Sequence, residues 1–182
     1  MIHVYNYNNI FIMNISELFS AKTNARDILQ KTYNLPQKSK VLIGVSLDTE
    51  STHFLLPWLK VLPVNFIIFW KEITHIDAHN ISYASLKDSF DMLWIDAIFW
   101  NHMHTDIQEA MKIWIVPIIH HGNKLWNKLT EFEPIHGTGN SYLYEDASIW
   151  SSYYCLIRYI ENHNFSYDNR NLVKNVIETY NT

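Results

Sequence analysis

A chain of 182 residues, 48% hydrophobic and 18% charged, is long enough for one full hydrophobic core and cramped for two. Its net charge of −4 and 14 scattered lysines and arginines exclude a nucleic-acid backbone binder, which needs a concentrated basic face to displace counterions. Cys155 is the single cysteine, which excludes an intrachain disulfide and a cysteine-based zinc site and gives no sign of secretion.

The opening MIHVYNYNNIFIMN has neither a basic lead nor a long uninterrupted apolar run, so it is expected to be neither a signal peptide nor a membrane span. Residues 1–20 are expected to form an N-terminal arm or an edge hairpin, and 21–182 a single domain of a soluble, cytoplasmic protein. A helix near 23–33, marked by Ile28, Leu29 and Tyr33, leads through NLPQKSK into a first strand, KVLIGVSL, at 40–47. Phe54, Leu55, Trp58, Leu59 and Leu62 then space out a helix from Ser51 to Leu62. The run VNFIIFW (64–70) is a second strand, and Leu86, Phe90 and Leu93 predict a helix from Ser82 to Leu93. The run WIDAIFW (94–100) is a third strand. Ile107, Ala110, Met111 and Trp114 follow on one helical face, with Thr105 and Gln108 spaced as a capping box. IVPIIH (115–120) is a fourth strand and SYLY (141–144) a further one. Two helices close the chain, the first marked by Ile149, Trp150, Tyr153, Leu156, Ile157 and Ile160. Leu172, Val173, Val176, Ile177 and Tyr180 mark the second.

Continuous apolar runs, rather than strict alternation, mark strands buried on both faces. Strands alternating with helices over short connections predict an α/β, Rossmann-like, doubly wound parallel sheet with helices on both faces.

In such sheets ligands bind outside the carboxyl ends of the strands, where the strand order reverses. The strand ends offer Asp48, Thr49 and Glu50, then Lys71 and Glu72, then Asn101, His102 and His104, and then His120, His121, Gly122 and Asn123. The loop HGTGNS (136–141) holds two of the chain's four glycines and is expected to join these ends. Glycines there require either a tight turn or the close approach of another group.

The order of these pieces resembles the C-terminal, donor-binding domain of GT-B glycosyltransferases. DILQKTYNLPQKSKVLIGVSLD is similar to that family's helix leading through a proline into its first strand. DSFDMLWIDAIFWNHMHTDIQEAMKIWIVPII resembles its block ending E-x7-E-A-M-A-x-G-x-P-V-V, and GTGNSYLYEDASIWSSYYCLIRYIEN its C-terminal tail. The likeness spans about residues 25–165. It implies a nucleoside-diphosphate sugar as substrate and no cofactor or metal. Glu109 takes the place of the glutamate that holds the donor ribose, and it falls off the apolar stripe. Gly122, Asn123 and Lys124, together with Gly137, Thr138, Gly139 and Asn140, take the places of donor-facing loops. His102 and His104 would be the nearest acid–base groups. The departures are specific. Asn101 stands for the first glutamate, Trp114 for the glycine, and Pro117 comes one residue late. Asp48 and Glu50 occupy the turn where the family has a basic pair, and two acids there would repel a diphosphate. The acceptor-binding half is not within these residues, so an active transferase would need a second subunit; otherwise the chain is a degenerate relative.

Two other readings stand beside this one. His102, His104, His120, His121 and His136, with Asp48 and Asp106, could gather at one sheet edge as a metal site of a hydrolase. Seven tryptophans and eleven tyrosines also suit a non-catalytic subunit that docks on another protein or on a further copy of itself. Cys155 lies within an apolar helical stripe, which makes it a poor nucleophile. Geometry separates these readings: a donor crevice must gather Glu109, Gly122 and the 137–140 loop, and a metal site must gather three ligand atoms.

Overall fold

The computed structural model describes residues 15–69, 76–84, 95–100, 107–122, 127–146 and 148–181. Helix α1 (Ile15–Thr32) leads into β1 (Leu42–Ser46), α2 (Thr49–Leu59), β2 (Asn65–Phe69), β3 (Ile81–Ala84) and β4 (Ala97–Trp100). Then come α3 (Ile107–Lys112), β5 (Val116–His120), β6 (Tyr142–Tyr144), α4 (Ile149–His163) and α5 (Ser166–Asn181). The strands form one six-stranded sheet in the order β3-β2-β1-β4-β5-β6, and every pairing is parallel. This is the expected doubly wound α/β sheet. Right-handed crossovers that leave β1 and β4 in opposite directions put α2 and α3 on opposite faces. Helix α4 packs beside α2, and α5 packs beside α3.

The apolar runs behave as their composition predicts. Each residue of β1, β2 and β4 is buried. Gly44 is at the centre of β1 because nothing larger fits: a Cβ there would lie 2.6 Å from the Ile95 and Phe69 side chains.

Three elements differ from expectation. Helix α1 starts at Ile15, inside the segment expected to be an arm or hairpin, while residues 1–14 lie outside the described residues. Its inner face sets two cations, Lys22 and Arg26, among buried Ala21, Ala25 and Leu29. Lys22, 4% exposed, donates to the carbonyls of Ile95 at 3.2 Å and Trp114 at 2.8 Å. Arg26 pairs with Asp96 at 3.2 Å, and Asp96 also accepts the Leu42 amide at 2.8 Å. The second difference is β3, where a helix was expected to begin. Buried Asn80 fixes the strand's start by donating to the carbonyls of Leu59, Leu62 and Val64, while its own carbonyl accepts the Phe66 amide. The remainder of that expected helix lies outside the described residues. The third concerns α2, whose buried positions are Thr52, Leu55, Leu56 and Leu59, whereas Phe54 and Trp58 face outward.

The outer edge of β6 is covered by the chain that precedes it. Phe132 donates to Ser141 at 2.8 Å, and the Glu131 carboxylate takes the Leu143 amide. No described helix is long and apolar enough to cross a membrane.

Candidate donor crevice

The order of the sheet reverses between β1 and β4, so a ligand crevice is expected outside the carboxyl ends of these strands, near Asp48 and Trp100. Asp48 is the N-cap of α2. Its carboxylate accepts the Ser51 amide and the Ser51 hydroxyl, each at 2.7 Å, and its carbonyl accepts Thr52. Glu50 adds a second acid in the first turn. A helix N-terminus at a switch point is where a phosphate usually meets free amides and the positive end of the helix dipole. Here that end is already occupied by the protein's own carboxylate.

Across the switch point, the ends of β4, β5 and β6 are tied together by His120, an expected strand-end residue, and by Tyr144, which was not among the candidates. The Tyr144 hydroxyl donates to the Trp100 carbonyl at 3.0 Å, and burial pushes this phenol well above its usual range, so it stays protonated. His120 reaches the Glu145 carbonyl through Nε2 at 3.1 Å, and the Gly122 amide donates to its Nδ1 at 3.1 Å. With Nδ1 accepting, Nε2 carries the proton, and both ring nitrogens are engaged. The period-2 pattern of SYLY was the one available signal for Tyr144.

The described members of the histidine set, His120, His121 and His136, do not come together. His120 and the exposed His121 sit at the carboxyl end of β5. His136 lies before β6, in a hairpin at the opposite edge, where it pairs with Glu133 at 3.0 Å. Among the described residues no group of three His, Cys, Asp or Glu side chains could hold a metal ion. Cys155 is buried, and burial pushes its thiol up to about 12, which makes it unreactive.

The glycine loop is also elsewhere than expected. Gly137, Thr138, Gly139 and Asn140 precede β6 in a parallel sheet, so they lie at its amino end, not with Gly122 at the carboxyl ends. Both glycines have positive φ, 64° and 89°. The group that approaches closely belongs to the same chain, since a Cβ on Gly139 would sit 2.0 Å from the Glu131 carbonyl oxygen. Asn140 is 3% exposed, accepts the Thr130 amide and donates to Lys128 and Thr179. Asn175 of α5 donates to the carbonyls of Gly137 and Gly139. An open hollow of about 340 Å³ lies beside this hairpin, lined by Thr138, Gly139, Asn175, Glu178 and Thr179.

Glu109 lies in α3, flanked in sequence by Ala110 and Gln108 and preceded by buried Ile107. The apolar stripe is as expected: Ile107, Ala110, Met111 and Trp114 are all buried. Trp114, at the position where the family has glycine, has φ 64°. It terminates α3 in a left-handed turn, with the Ile115 amide on Ala110 and the Trp114 amide on Met111. Lys71, Asn101, His102, His104, Thr105, Asp106, Asn123 and Lys124 lie outside the described residues.

No protein-family model matches the chain. No curated protein matches it in sequence. Solved structures do. The catalytic domain of starch synthase IV from Arabidopsis thaliana, bound to ADP and acarbose, superposes over 91% of this chain with a TM-score of 0.71 and 14% identity. The C-terminal domain of a group 1 glycosyl transferase family protein, LpcC from Francisella tularensis, superposes over 86% with a TM-score of 0.59 and 15% identity. The chain has a GT-B C-terminal-like fold. It spans 40% of the starch synthase chain and 91% of the LpcC domain.

Proposed function

We propose that this GT-B-like chain is the donor lobe of a glycosyltransferase and holds a nucleoside-diphosphate sugar in the crevice outside β1, β4 and β5. The observation that carries the reading is the switch point between β1 and β4, in a sheet that superposes on a domain bound to ADP. Glu109, in the helix that follows β4, would accept the ribose hydroxyls. Asn101, Gly122, Asn123 and Lys124 would line the donor side, and His102 or His104 would handle a proton. The acceptor side would come from a second protein subunit or from another domain.

Asp48 favours one variation: a relative that keeps the fold and has lost donor chemistry. With α2 capped by a carboxylate, the donor diphosphate would meet a negative charge at the end of the helix.

Calorimetry of the purified chain with UDP, GDP, ADP and their sugars tests both. A ligand at about a hundredfold excess over its dissociation constant stabilises the fold by about 2.7 kcal/mol, which a thermal-shift assay resolves. Binding of one nucleotide that Glu109→Ala abolishes supports the donor lobe. Binding that survives Glu109→Ala removes that residue from the site. No response to any nucleotide leaves the degenerate relative.

A further inference from the structure

Helix α3 carries Glu109 and has six residues, too few to be stable through its own hydrogen bonds. Its buried stripe packs on β5 and α5, and Ile113, Trp114 and Ile115 then turn the chain into β5. That turn is strained, because Trp114 has a Cβ and stands at φ 64°. Strained backbone persists only where its surroundings hold it from several sides. Locally, the Trp114 amide donates to Met111 and the Ile115 amide to Ala110, each at 3.0 Å, and the tryptophan ring is buried. A further hold comes from α1. Lys22 donates to the Trp114 carbonyl at 2.8 Å and to the Ile95 carbonyl at 3.2 Å.

Those two carbonyls stand just before β5 and β4, which are neighbours in the sheet with Val116 opposite Ala97. One buried amine therefore pins the end of α3 to the start of the strand beside it. Burying an amine forfeits hydration that an apolar side chain of the same length would not lose. What the amine adds is direction, since its hydrogens reach two set carbonyls at once. We infer that Lys22 is a positioning residue: it holds the Trp114 turn, and through that turn it sets α3 and Glu109 relative to the crevice. The step to Glu109 rests on the donor-lobe reading, whereas the hold on α3 does not.

Lys22→Met keeps an unbranched side chain in the same slot and removes both hydrogen bonds, so the chain is expected to fold. Amide hydrogen exchange of the whole chain without ligand is the first test. The Trp114 and Ile115 amides are expected to exchange roughly tenfold faster than in wild type, with the β1 amides of Ile43 and Val45 unchanged. Calorimetry with ADP and 2′-deoxy-ADP is the second. A carboxylate set against the ribose hydroxyls prefers ADP, and Lys22→Met is expected to cut that preference at least roughly threefold. A role in stability alone would speed exchange in every element and weaken both nucleotides by the same factor. Wild-type exchange at Trp114 and Ile115, or faster exchange throughout the chain, would overturn the hold on α3. An unchanged preference for ADP beside a loosened turn would overturn the step to Glu109. If wild type binds neither nucleotide, the donor reading fails, and the exchange result still decides for or against Lys22.

Discussion

Lys22 donates to the carbonyl oxygen of Trp114 at 2.8 Å, which joins α1 to the turn between α3 and β5 across 92 residues of sequence. That turn holds a tryptophan in the left-handed region, with φ 64°, where glycine is usual. The conformation costs roughly 1–2 kcal/mol for a residue with a Cβ. The side chain is 7% exposed and packs into the core, and deleting a buried tryptophan costs about 3–5 kcal/mol. Packing outweighs strain. Trp114→Gly is therefore expected to destabilise the chain by about 2 kcal/mol in urea unfolding, although glycine is the residue that suits a left-handed turn. A more stable variant would show that the ring contributes less than its burial implies.

The same lysine sets an alkaline pH dependence. Burial lowers its pKa to about 8, with Asp96 opposing the fall and Arg26 adding to it. From about pH 8 up to the unfolded value of 10.5, the unfolded chain holds a proton that the folded chain has released, so stability rises with pH. The gain is on the order of 2 kcal/mol between about pH 8 and about pH 9.5. Above about 10 the trend reverses, because Tyr142 and Tyr159 are raised in the folded state and lose that stabilisation as pH climbs. Urea midpoints across this range should rise for wild type and stay flatter for Lys22→Met. Parallel curves for the two proteins would mean that another group titrates.

Much of this fold was legible because burial on both faces leaves a plain mark. VNFIIFW and IVPIIH are continuous apolar runs, and both are strands. Helix α1 was less legible at its start, since its inward contacts use Lys22 and Arg26, which a hydrophobic pattern counts as surface. β3 was hidden because ISYA is short and is positioned by Asn80 reaching back to three carbonyls, a tertiary relationship with no local spacing. At the site, the glycine pair correctly signalled a tight turn and a close approach. What approaches is the Glu131 backbone, and only strand direction reveals that the turn is at the far end of β6.

Glu131 illustrates a carboxylate acting in place of backbone. It accepts the Leu143 amide and pairs with Arg158 at 2.6 Å. Both side chains of the ion pair are about one-third exposed, so solvent screens most of its Coulomb energy. The backbone amide is the larger stake, since an unsatisfied buried donor costs about 1–3 kcal/mol. Glu131→Ala is thus expected to lose roughly 1–2 kcal/mol, while Glu131→Gln, which keeps an acceptor oxygen, loses less than half of that. Equal losses in chemical denaturation would point to the ion pair instead.

Asp48 gives the sharpest test of the crevice. Serine keeps a capping oxygen, so Asp48→Ser should cost no more than about 1 kcal/mol, the lost attraction of the carboxylate to the helix end. It removes a negative charge from the N-terminus of α2 at the point where the sheet order reverses. A charge at a helix end is worth about 1 kcal/mol, so an anion placed there should bind roughly fivefold more tightly. Titration of wild type and Asp48→Ser with a nucleoside diphosphate and with the matching nucleoside separates the contributions. Tighter binding of the diphosphate, with the nucleoside unchanged, identifies Asp48 as the group that opposes phosphate in this crevice. An equal response of both ligands would place the phosphates away from α2, and the acid would then serve the helix alone.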